Sequence, residues 1–199
     1  MNNYVYEIDH SLYINLTNRC TNSCTFCIRN TPEGIAGYDL WLEKEPDAAE
    51  VLMAIKNVAQ YREVVFCGYG EPMLRMDQIV QISRELKKHP VKIRINTNGQ
   101  ANLFYRQNVV PRLEGLIDTI SISLKAAHAA DYQKVCQSVF GEPAFDAIIE
   151  FAKECKKVIP LVILSVVDVI SQEDIAICEE IARSIGVKLR IRAQIGDAR

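Results

Sequence analysis

Six short apolar segments with strand-like patterning, each parted from the next by helix-like periodicity, restrict this chain to an α/β fold with a parallel sheet. They lie at residues 12–16, 64–66, 91–96, 116–124, 161–167 and 187–193. A first strand at 4–7, joined to 12–16 through Asp9-His10-Ser11, reads as a short N-terminal β-hairpin. Between the strands, Val51, Ile55, Val58 and Ala59 recur at helical spacing after Pro46, and Ile79, Ile82, Ser83 and Leu86 share one face before Pro90. Two shorter helices at 129–136 and 144–157 flank Gly141-Glu142-Pro143; Ile175, Cys178, Ala182 and Ile185 turn inward on a helix that Gly186 closes. Residues 102–114 stay open between helix and loop, because Pro111 interrupts the pattern. Right-handed crossovers can wind such strands into an open doubly wound sheet or a partial (β/α)6 barrel. In both, the loops that follow the strands gather at the C-terminal edge of the sheet.

The turn after strand 12–16 separates the two closures. A dinucleotide-binding open sheet places a glycine-rich turn there. This chain has Asn15-Leu16-Thr17-Asn18-Arg19-Cys20-Thr21-Asn22-Ser23-Cys24-Thr25-Phe26-Cys27, a polar loop with three cysteines spaced x3 and x2. Three thiolates from one loop can occupy three corners of a cubane cluster that is usually held by four, leaving an iron open to a non-protein ligand. A structural zinc site is the plain alternative. It takes four ligands, usually as two spaced pairs, and no second pair is present.

The remaining cysteines, Cys67, Cys136, Cys155 and Cys178, have no pair spacing and read as small buried hydrophobes. Cys67 ends a strand that points at the same mouth as the cysteine loop; it is expected to be an inert buried thiol rather than a fourth ligand. An odd total of 7 cysteines, with no basic start or apolar leader after Met-Asn-Asn-Tyr, places the chain in a reducing cytoplasm. At 199 residues and 49% hydrophobic it forms one domain, 1–199, with its cysteine loop at 18–30. A net charge of −2 gives no overall field toward nucleic acid or an anionic membrane. The longest apolar run, 158–167, is about half of a membrane span.

Three further loops carry unusual residues. Gly68-Tyr69-Gly70-Glu71-Pro72 follows the second parallel strand; its glycines allow close backbone approach to a ligand, and an ordinary strand-to-helix turn is the alternative. Asn96-Thr97-Asn98-Gly99 follows the third, with a hydrophilic turn as competitor. On the fourth, alternation puts Ser121, Ser123 and Lys125 on one face, opposite Ile122 and Leu124. Two hydroxyls and an ammonium facing a barrel interior need polar partners. On the last strand Arg190 and Arg192 share a face, either as an exposed edge or as inward groups for an anion.

The cysteine spacing, with Phe26 before the third cysteine, resembles the signature of the radical SAM enzymes, and the preferred fold is the partial barrel of that family. Gly68-Tyr69-Gly70-Glu71-Pro72 resembles its glycine-glycine-glutamate-proline motif, with Tyr69 where glycine often sits. The resemblance spans essentially the whole chain, and the strings at 13–20, 68–72, 94–102 and 121–124 look like the small radical SAM proteins associated with TatD-type hydrolases. It implies a [4Fe–4S] cluster on Cys20, Cys24 and Cys27, and S-adenosylmethionine held by Phe26, Gly68, Tyr69, Gly70, Glu71, Asn98, Ser121, Ser123, Lys125 and Arg192. It further implies reductive cleavage to a 5′-deoxyadenosyl radical, hydrogen abstraction from an unidentified substrate that the TatD association places among nucleic acids or nucleotides, and flavodoxin or ferredoxin as donor. There is no motif for an auxiliary cluster domain. A glycyl-radical-type activase acting on a protein and a non-catalytic iron–sulfur electron carrier are the alternatives.

Overall fold

In a computed structural model, residues 2–30 and 35–193 are described. The ends of the 1–199 domain therefore fall partly outside the described residues. Seven strands form one sheet in sequential order: β1 (Val5–Ile8), β2 (Ser11–Ile14), β3 (Glu63–Phe66), β4 (Lys92–Thr97), β5 (Thr119–Ser123), β6 (Leu161–Val167) and β7 (Lys188–Arg192). β1 pairs antiparallel with β2 as the expected hairpin, and β2 to β7 are parallel. The helices are α1 (Ala48–Ala54), α2 (Met76–Leu86), α3 (Ala101–Tyr105), α4 (Ala129–Cys136), α5 (Pro143–Val158) and α6 (Gln172–Ile185).

The strand order never reverses, so the winding is that of a barrel and not of a doubly wound sheet. The two faces differ accordingly. Ile14, Phe66, Ile95, Ile120 and Val162 are register partners on one face, and Thr97, Ile122, Leu164 and Leu189 form the next rung. With the inward faces of α1, α2, α4, α5 and α6, their apolar members form the main core. Each fully buried aliphatic or phenyl side chain there contributes about 1.5–3 kcal/mol. The opposite, inner face is polar. Its rungs are Tyr13, Val65, Arg94, Thr119 and Leu161; then Asn96, Ser121, Ile163 and Lys188; then Ser123, Ser165 and Arg190; and, at the top, Val167 and Arg192.

The sheet curls around this inner face. Arg192 on β7 acts electrostatically on Cys67, which follows β3. Four strand spacings would separate them by about 19 Å in a flat sheet, too far for that influence.

Two sequence expectations need correction. The helix through Val51, Ile55, Val58 and Ala59 ends at Ala54, where Ile55 turns extended. The Asn57 side chain accepts from the Ala59 amide at 3.2 Å and starts a separate 3-10 turn, Val58–Gln60. The second of the two shorter helices is α5, with 16 residues the longest helix described. The open stretch 102–114 resolves into the end of α3 and a 3-10 turn, Val110–Leu113, with Pro111 in its first turn. No helix among the described residues is long and apolar enough to cross a membrane.

Candidate active site

β2 delivers the chain into the cysteine loop, and the loop is tied down on both sides. On the near side Glu45 is the hub: it accepts from Arg19 at 2.8 and 3.0 Å, from Arg75 at 2.8 Å, and from the Thr17 hydroxyl. Asn18 exchanges two bonds with the Leu42 backbone at 2.8 and 3.0 Å. On the far side the loop docks onto the end of α4, where the Ser23 amide donates to the Cys136 carbonyl and the Thr25 amide to that of Val135. A buried side-chain network closes this contact. Gln100 donates to Asn22 at 2.8 Å and to the Tyr132 hydroxyl at 2.7 Å, Asn22 donates to Tyr132 at 3.0 Å, and Ser138 donates to Gln100 at 3.1 Å. Buried and mutually satisfied, such a network fixes one loop conformation.

The motif loops from β3, β4 and β5 reach the same place. The turn at Gly68–Pro72 lies directly behind the cysteine loop. A Cβ on Gly70 would stand 2.3 Å from the Thr17 carbonyl oxygen and 2.5 Å from that of Arg19, and the Glu71 amide donates to the latter at 2.8 Å. A Cβ on Gly68 would stand 2.1 Å from the Asn15 side-chain oxygen. Both glycines are therefore required by close approach. The Tyr69 side chain leaves the site for a small aromatic cluster with Tyr6 and Leu40, its ring 5.3 Å from that of Trp41. That exit lets this position carry a tyrosine.

Glu71 is buried and accepts from the Met73 amide at 3.0 Å, the Thr97 hydroxyl at 2.7 Å and the Asn98 amide at 2.7 Å. It joins two motif loops, and so positions them. Burial pushes its carboxyl up to about 7, against the pull of those three donors. From the joined loop, Asn98 donates to the Thr21 hydroxyl at 2.8 Å and reaches the Cys20 sulfur at 3.8 Å. Lys125 holds a left-handed backbone, φ 65°, which brings its Nζ to 3.3 Å from the Cys24 sulfur and 4.7 Å from the centroid of the Phe26 ring. An ammonium over an aromatic face beside a thiolate is attracted by both. Ser121 and Ser123 are half-buried on the inner face below.

The thiols respond to these surroundings. Cys24 is lowered to about 6, first by a bond from the buried Cys136 thiol and then by Lys125, against burial. Burial and the charge of Glu71 raise Cys20 to about 11. Metal binding takes the thiolate form and releases the proton, so a raised thiol is no bar to ligation. Among the described residues no three His, Cys, Asp or Glu side chains converge as around a single ion. A cubane asks for something else, since its three thiolates bind three different irons. Three thiols on one anchored loop, with a lysine and an amide at two of the sulfurs, fit that group.

Cys67 is half-buried on the inner face, in surroundings set by Asn96, Arg94, Tyr6 and Arg192, and burial raises its pKa. Arg192 lies on the same face. Solvent reaches it, yet surrounding protein holds its pKa below the usual guanidinium range, as expected for a side chain projecting into an open concavity. A cavity of about 450 Å³ opens at the opposite end of the sheet, between Glu63, Lys92, Thr119 and Leu161. It holds none of the motif residues. Sequence reasoning passed over Glu45, Gln100, Tyr132 and Ser138. Gln100 adjoins the Asn98-Gly99 turn, and only a partner 32 or 38 residues away reveals its role.

Comparison with known proteins agrees with this geometry. The Radical SAM superfamily model matches residues 14–183. No curated protein matches. Among solved structures, Streptococcus suis SuiB bound to precursor peptide SuiA superposes with a TM-score of 0.70 at 18% identity, over 96% of this chain and 40% of that one. SuiB bound to S-adenosylmethionine gives 0.68 at 18% identity with the same coverage. Methylornithine synthase (PylB) gives 0.59 at 15% identity, over 93% of this chain and 53% of that one. The chain thus spans two-fifths to about half of these proteins, and at such identities the likeness is one of fold.

Proposed function

Because this chain belongs to the radical SAM superfamily, we propose that it is an enzyme holding a [4Fe–4S] cluster on Cys20, Cys24 and Cys27, which acts with S-adenosylmethionine on a substrate in the inner face of the barrel. When bound, the pair supplies one-electron reductive cleavage of a carbon–sulfur bond, yielding a 5′-deoxyadenosyl radical for hydrogen abstraction. The residues of this chain provide position and shielding. Lys125 supplies the cation for a carboxylate next to Cys24, and Phe26 covers the loop. The Gly68–Gly70 backbone offers the close approach that an amino group needs. Ser121 and Ser123 line the way from the cluster to the polar chamber.

The observation that carries this reading is the meeting of Lys125 and Asn98, from the ends of two other strands, at the sulfurs of Cys24 and Cys20. An electron carrier has no use for that arrangement. A low-potential donor such as flavodoxin or ferredoxin supplies the electron, in a reducing cytoplasm that suits seven free thiols. The resemblance of the strings at 13–20, 68–72, 94–102 and 121–124 to the TatD-associated proteins favours a functional link to a TatD-type hydrolase. The test is anaerobic reconstitution followed by dithionite and S-adenosylmethionine, with 5′-deoxyadenosine and methionine measured by mass spectrometry. Both form with the native chain and neither with Cys24→Ala. A chain that carries the cluster and forms neither product is an electron carrier.

A further inference from the structure

The cations of the inner face are not all matched. Arg94 is held by Glu63 at 2.9 and 3.2 Å, and Lys92 stands 3.5 Å from Asp118. Arg190 and Arg192, on β7, have no carboxylate within ion-pair distance among the described residues, and Lys188 precedes them on the same face. The register puts Arg190 beside Ser165, itself beside Ser123. Arg192 stands one rung higher, at the level of the cluster loop, where the curl of the sheet brings it toward Cys67 and Arg94. Arg190 and Arg94 both repel it. Of these three guanidiniums only Arg94 is in an ion pair among the described residues, with Glu63, and the two without one are those nearest the reaction end. Fork-shaped donors on successive inward positions of one strand match the oxygens of a planar or tetrahedral anion.

We propose that Arg190 and Arg192 form the binding site for an anionic group of the substrate, a carboxylate or a phosphate, held across the chamber from Cys67 with Ser123 and Ser165 beside it. This rests on the reading of the inner face as the reaction chamber and adds a substrate class to it. The anion offsets the mutual repulsion of the guanidiniums, and fixes the substrate by its charged end below the cluster loop.

The test measures binding directly. Titration calorimetry on the reconstituted full chain uses inorganic phosphate, succinate and the neutral succinamide as probes. At least one of the two anions is expected to bind, and succinamide not; the tighter anion tells phosphate from carboxylate. Arg192→Gln and Arg190→Gln each weaken that binding about tenfold, while Arg192→Lys, which keeps the charge and loses the fork, falls between. Lys153→Gln, on the exposed side of α5, leaves binding unchanged. Both arginines are exposed, so the variants keep the native melting temperature within a few degrees, and lost binding is then not lost fold. Absence of binding by both anions, or equal binding in the Arg190→Gln/Arg192→Gln double variant, overturns the proposal. Anion binding without S-adenosylmethionine cleavage overturns the enzymatic reading alone; cleavage without anion binding overturns this inference alone.

Discussion

Replacing Gly70 by alanine tests whether the second motif loop is built against the cysteine loop. The new Cβ would lie 2.3 Å from the Thr17 carbonyl oxygen and 2.5 Å from the Arg19 carbonyl oxygen. Both are backbone atoms of a segment that Glu45, Asn18 and Arg75 hold in place, so neither can rotate away. Relief requires about 1 Å of separation between the loops, at the usual cost of overpacking of about 1–3 kcal/mol. The same movement stretches the 2.8 Å bond from the Glu71 amide to the Arg19 carbonyl, adding about 1 kcal/mol. The expected loss is about 2–4 kcal/mol in urea unfolding, with less iron retained after anaerobic reconstitution. Gly68→Ala should cost less, because its collision is with the Asn15 side chain and not with backbone. A Gly70→Ala chain within about 0.5 kcal/mol of native, the scatter of ordinary surface changes, with full iron content, would refute the argument that the two loops are in contact.

Further outcomes follow from the same geometry. Lys125→Ala should weaken S-adenosylmethionine binding about ten- to a hundredfold, the worth of one charge-assisted contact, while iron content stays native; unchanged binding would remove Lys125 from the site. Cys67→Ala should keep the full cluster, since the thiol sits among Asn96, Arg94 and Arg192; loss of iron would make it a fourth ligand and leave no open position. Glu71 titrates near 7 in the fold against 4.5 unfolded, so the folded state takes up the proton more readily. Its contribution to stability is full below 4.5 and is lost as pH rises through about 7. Urea midpoints should therefore fall between pH 5 and 8 in the native chain more steeply than in Glu71→Gln; equal slopes would assign the pH dependence elsewhere.

Much of this was legible in the chain because its signals are local. Alternation in Thr119–Ser123 separated Ile120 and Ile122 from Ser121 and Ser123, and the structure buries the first pair against the helices and turns the second inward. Arg190 and Arg192 read the same way, as neighbours on one face of β7. The three-cysteine spacing marked the candidate site, and Gly68 and Gly70 marked the close approach that the loops make. What stayed hidden depends on distant partners. α1 was overextended because Ile55 and Val58 keep helical spacing, while the Asn57 cap that restarts the chain is decided by one side-chain bond. The backbone of Tyr69 stays in the motif turn, while its side chain packs with Tyr6 and Leu40, distant partners that no local pattern reveals. Glu71 carries a motif residue's name but serves as the tie between two loops, through Thr97 and Asn98, 26 and 27 residues on.

The central claim is that three thiolates leave one iron open, and that Lys125 and the glycine turn hold S-adenosylmethionine at it. It is tested most directly by electron paramagnetic resonance of the anaerobically reconstituted and reduced chain, with and without S-adenosylmethionine, alongside iron and sulfide analysis. About four irons per chain, and a cluster signal that shifts when S-adenosylmethionine is added, are the predicted result. A chain that binds one zinc and no sulfide, or a cluster signal that S-adenosylmethionine leaves unmoved, would contradict it.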